Sequence, residues 1–140
     1  MIERDFIMRI LQEFFHAIAK LIRANLDDPD TSRIRERFND MYRQFFRRPA
    51  EHFYEVERDA ILGDLEQEGR SEQDTLARVQ MLAELIYQDG LIRKTVPERC
   101  RMLEKSLYLF EYLDRNSRTF SWERNQKMSD IKKTLTEYEY

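Results

Sequence analysis

The chain has 140 residues, 41% hydrophobic and 36% charged, with three Gly and three Pro. That is one domain at the usual size of about 100 to 200 residues, and with three Val and six Thr the chain lacks the turn-makers and β-branched residues of an all-β protein. A formal net charge of -3 excludes both a globally basic nucleic-acid-binding signature and a disorder-prone charge excess.

From Phe6 to Ile22 the apolar residues Phe6, Ile7, Ile10, Leu11, Phe14, Phe15, Ile18, Leu21 and Ile22 fill about half of a helical wheel, and Met8 widens the arc further. Arg9, Glu13, His16, Lys20 and Arg23 interrupt the segment, which excludes a signal peptide or a spanning helix. One neighbouring helix does not cover so wide a face, so Met8 and Phe15 are candidate interface residues and a homodimer through this helix is one expectation. Asp27-Asp28-Pro29-Asp30 reads as a stop and a new start. Ile34, Phe38, Met41, Tyr42, Phe45 and Phe46 then mark a second helix, ended by Pro49. Residues 49–56 have no clean period and read as irregular or short helix.

Ile61, Leu62 and Leu65 predict a brief third helix stopping at Gly69, after which Ser71 with Asp74 forms a capping pattern for a fourth. That helix carries Leu76, Val79, Leu82, Ala83, Leu85, Ile86 and Tyr87 and ends near Gly90. Thr95 with Glu98, and Pro97 in the first turn, start a fifth. Its apolar half-wheel holds Cys100, Met102, Leu103, Ser106, Leu107, Leu109, Phe110 and Leu113. Residues 116–121 read as a polar break, and Met128, Ile131, Leu135 and Tyr138 give the last helix a narrow stripe suited to an end cap.

Candidate chemistry is sparse. Glu13 and His16 form a Glu-x-x-His unit of the kind di-iron bundles use twice, but it occurs once and on the polar side of its helix. Glu51, His52 and Glu55 lack a second His to complete a metal set. Cys100 lies on an apolar arc, where a thiol is inert core, and as the single cysteine it suits a reducing compartment such as the cytoplasm. No phosphate-cradling glycine loop or nucleophile elbow is present. The expectation is a non-enzyme with no catalytic residue, no cofactor and no metal.

Charge is segregated. Residues 33–48 hold six Arg against Glu36 and Asp40, whereas residues 49–75 hold nine acids against Arg58 and Arg70. Arg33, Arg37, Arg43, Arg47 and Arg48 fan out opposite the Phe and Met stripe of the second helix. Guanidinium forks suit carboxylates and phosphates, so the fan either pairs with the acidic segment or binds an external anion such as RNA. Trp122 falls off the stripe of the last helix and is a candidate anchor for a partner.

Val79, Leu82, Ala83 and Ile86 followed by Cys100, Leu103 and Leu107 resemble the large-small-large interlock of tetratricopeptide helices, with a longer intervening loop. Met1-Ile2-Glu3-Arg4-Asp5-Phe6-Ile7-Met8-Arg9, Met81-Leu82-Ala83-Glu84-Leu85-Ile86-Tyr87 and Thr119-Phe120-Ser121-Trp122-Glu123-Arg124 together resemble a family of short bacterial all-helical proteins of unknown function. That resemblance implies a tetratricopeptide-like array and brings no activity with it.

The expected fold is all-α: antiparallel helix pairs in a right-handed, tetratricopeptide-like array forming a single domain over 1–140. Two N-terminal helices occupy 1–48, an irregular or short helical stretch 49–71, and the tetratricopeptide-like helices 72–138. Leu82, Ala83, Ile86, Leu103, Leu107, Phe110 and Ile131 are expected to be buried together, with Ala83 at the closest helix approach. The expected function is an interaction module for a protein or peptide, through Met8, Phe15 or Trp122; the alternative is accessory RNA or anion binding through Arg33, Arg37, Arg43 and Arg47.

Overall fold

The computed structural model describes residues 2–27 and 31–138, and among these it is helical with no strand. Asp28, Pro29 and Asp30, read above as the break between the first two helices, lie outside the described residues. The chain divides into two compact units, residues 1–55 and 56–140.

The first unit contains α1 (Ile2–Asp27), α2 (Thr31–Phe46) and α3 (Ala50–Glu55). Ile7, Phe14, Ile18 and Leu21 of α1 are buried, as are Ile34, Phe38, Met41, Tyr42 and Phe46 of α2. Their spacing of three and four puts each set on one helix face, which is why the apolar periodicity located both helices. Phe14 meets Phe45 at 5.2 Å between ring centroids, and Phe53 of α3 stacks on Tyr42 at 5.2 Å. The segment without a clean period is therefore held by one aromatic anchor and by the Ala50 N–H, which donates to Oδ1 of Asn39 at 3.2 Å. At the end of α2, Arg47 takes a left-handed φ of 60° while its N–H donates to the Arg43 carbonyl at 3.0 Å. This is a helix-terminating conformation that glycine adopts without the Cβ penalty.

The second unit contains α4 (Arg58–Glu68), α5 (Glu72–Leu91), α6 (Val96–Asn116) and α7 (Trp122–Glu137). Both capping patterns form as predicted. The Asp74 N–H donates to Ser71 Oγ at 3.1 Å, and the Glu98 N–H to Thr95 Oγ1 at 3.3 Å with Pro97 in the first turn. Between α4 and α5 the backbone passes so close that a Cβ on Gly69 would clash with Thr75. The most extensive contact is between α5 and α6. Ser106 Oγ donates to the Ala83 carbonyl at 2.8 Å, and a Cβ on Gly90 would lie 3.1 Å from Leu103 and 3.2 Å from Met102.

Every residue from Met81 to Ile86 is buried, so α5 is covered all round. Of the expected core, Leu82, Ala83, Ile86, Leu103, Phe110 and Ile131 are buried, whereas Leu107 is only half-buried. The narrow stripe of α7 also ends early. Met128 and Ile131 are buried, Leu135 is half-buried and Tyr138 is exposed.

Candidate interaction site at the α6–α7 corner

The two most exposed large apolar side chains of the second unit, Phe120 at 76% and Trp122 at 71% exposure, stand one residue apart. They flank Ser121, whose backbone is extended (φ -126°, ψ 114°). The corner that carries them is braced by polar bonds. Ser117 closes α6 through its N–H to the Leu113 carbonyl at 2.7 Å, and its Oγ accepts from the Thr119 N–H at 3.3 Å. Ser121 caps α7, accepting the Arg124 N–H on Oγ at 3.2 Å. The Arg124 guanidinium then reaches back across the corner, donating to Asp114 Oδ1 at 3.1 Å and to the Thr119 carbonyl at 3.0 Å. Arg118 and Glu123 are exposed beside the rings.

An exposed indole and an exposed phenyl on a fixed backbone offer apolar surface that a partner can cover without first ordering the corner. Trp122 was expected as an anchor because its phase lies off the α7 stripe. Phe120 was missed, since residues 116–121 read as a polar break. The signal for it was the alternation Phe120-Ser121-Trp122 around a capping serine.

The other expected interface residues belong to the first unit. Met8 is 49% exposed, while Phe15 is half-buried with its ring 5.2 Å from Phe14. Arg33, Arg37, Arg43 and Arg47 are all exposed along and just beyond α2. Arg37, Arg43 and Arg47 make no ion pair among the described residues of their own unit. Several acids of the stretch 49–75 have partners close by: Asp74 and Glu68 face Arg78 at 3.2 and 3.7 Å, and Asp59 faces Arg58 at 4.0 Å.

Ionisable groups of the second unit pair both within its helices and between them. Lys127 Nζ donates to both carboxylate oxygens of Glu84 at 2.7 Å, joining α7 to α5, and Arg93 grips the fully buried Asp89 carboxylate at 3.1 and 3.2 Å. Arg58 donates to Glu104 at 3.1 Å and lies over the Tyr108 ring at 4.8 Å, joining α4 to α6. Lys105 is 5% exposed, and loss of water pushes its pKa down from 10.5 to about 8, with Arg101 adding to the shift.

Burial pushes the Cys100 thiol up, against the pull of neighbouring Arg99, which keeps it in the unreactive protonated form. Glu13 and His16 are exposed, and His52 sits edge-on to Phe53 at 5.0 Å. Among the described residues no group of three or more His, Cys, Asp or Glu is placed to hold a metal ion, and no helix is long and apolar enough to cross a membrane. No family model, curated protein or solved structure matches the chain.

Proposed function

We propose that the chain is a non-enzymatic interaction module of the cytoplasm that grips a protein or peptide partner with Phe120 and Trp122. The observation that carries this reading is the pair of rings at 76% and 71% exposure on a corner braced by Arg124. Leaving two aromatic side chains in water forgoes about 25 cal/mol for each Å² of apolar surface, and aromatic residues of this kind dominate binding energy at interfaces. The frame behind them is a tetratricopeptide-like array of antiparallel pairs. Support for that arrangement comes from α5 and α6, where Ala83 meets Ser106 and Gly90, seven residues later, meets Met102 and Leu103.

Affinity capture from native lysate, with and without nuclease, tests the reading. Partners should survive nuclease and be lost with Trp122→Ala or Phe120→Ala. The lone tryptophan offers a direct readout: the free protein should emit like a water-exposed indole, and the captured partner should shift that emission to shorter wavelength. Capture that is unchanged in the doubly substituted protein would refute the assignment.

A second reading rests on Arg47. A non-glycine residue held at φ 60° costs roughly 1 to 2 kcal/mol, and here it carries an exposed guanidinium just beyond the helix that bears the exposed Arg37 and Arg43. On that reading the α2 arginines bind RNA or another polyanion. Affinity would then fall steeply with salt, and capture would disappear on nuclease treatment.

A further inference from the structure

Helix α1 carries two apolar strips side by side. At 100° per residue, Ile7, Phe14, Ile18 and Leu21 fall within about 60° of one another, and they are the buried set. A second strip lies about 90° further round the helix and runs through Met8, Leu11, Phe15, Ala19, Ile22 and Leu26. Its steps of three and four residues keep it on one side of a straight helix for about 27 Å. The fold leaves this strip incompletely covered. Met8 is 49% exposed and Leu26 78% exposed, Ala19 is exposed, and Leu11, Phe15 and Ile22 are only half-buried.

We propose that a second copy of this chain covers the strip, the two α1 helices packing antiparallel about a two-fold axis at Phe15. The strip is complementary to itself in that register. Phe15 faces its own counterpart, Met8 faces Ile22 of the second copy, and bulky Leu11 faces small Ala19, which suits interdigitation. Leu26 comes opposite exposed Arg4, whose aliphatic stem can lie along it.

Charge selects the direction. Asp5 and Arg23 lie on the same flank of α1, beside the strip, and neither makes an ion pair among the described residues. An antiparallel pair brings a flank against itself in reverse, so Asp5 of each copy meets Arg23 of the other, twice by symmetry. In a parallel pair a two-fold axis puts this flank of the two copies on opposite sides of the seam, so Asp5 and Arg23 would not meet across it. A single helix face falls short of the ~800 Å² per partner of a standard interface, so association belongs to the micromolar range. The surface is separate from the α6–α7 corner and does not depend on what binds there.

Sedimentation equilibrium of the full chain over a concentration series is the test, with circular dichroism confirming helix content in each variant. The weight-average mass should rise from 17.2 kDa toward twice that value. Ala19→Glu, a good helix former at an exposed position, should hold the protein at monomer mass. Asp5→Arg and Arg23→Asp should each weaken association about tenfold by setting like charges opposite one another, and the double exchange should restore it. A monomer at every concentration, a dimer indifferent to Ala19→Glu, or charge reversals that do not rescue each other would overturn the proposal.

Discussion

Burial strips Lys105 of water and lowers its pKa to about 8, so at neutral pH the folded protein holds an ammonium where the unfolded chain would hydrate it freely. Between about pH 8 and 10.5 the unfolded state binds more protons than the folded one, and stability therefore rises with pH across that window. Tyr87, Tyr108 and Tyr112 have raised pKa values and impose the opposite slope only above about 10, where the unfolded phenols ionise first. Lys105→Met should raise the melting temperature at pH 7, by on the order of 2 to 3 kcal/mol of stability, and should flatten the rise between pH 8 and 10. Thermal melts at a series of pH values read both effects. Arg47 offers a second test at this scale. Arg47→Gly should stabilise the protein by about 1 kcal/mol by relieving the left-handed backbone, and equal or lower stability would show that the guanidinium contributes to the fold.

At the scale of the helices, the α5–α6 contact depends on small residues. Ala83 is fully buried, its carbonyl accepts from Ser106, and Gly90 leaves room for Leu103 and Met102. Ala83→Leu should overpack this contact and cost about 1 to 3 kcal/mol, seen as a lower denaturant midpoint, while an unchanged midpoint would mean that α5 and α6 do not pack there. Elements were legible in the sequence where one face was apolar and the other polar, as in α1 and α2, or where a capping serine or threonine marked a start, as at Ser71 and Thr95. α3 is the short helix of the two alternatives left open for residues 49–56, and the sequence could not choose between them because six residues make fewer than two turns and show no period. Lys105 was missed for a different reason: its phase lies off the apolar arc of α6, and its burial arises from the packing of other helices, which the period of α6 alone does not reveal.

Over the whole molecule, strong contacts within each unit link helices that follow one another in the chain, with α4 also reaching α6. Such local connectivity favours rapid folding. It also explains why an all-helical chain with few turn-makers was readable from composition, while its interaction surfaces were only half legible. Trp122 stood out by phase; Phe120 did not, because periodicity says nothing about a five-residue corner. The charge segregation was visible, and the Arg78–Asp74 pair is a local i,i+4 contact within α5, but the Arg78–Glu68 pair depends on how α4 and α5 approach one another. The corner itself has a kinetic consequence. Its backbone is already fixed by Ser117, Ser121 and Arg124 before any partner arrives, so encounter need not wait for a loop to close, and the lifetime of a complex rests on how tightly the partner holds the two rings.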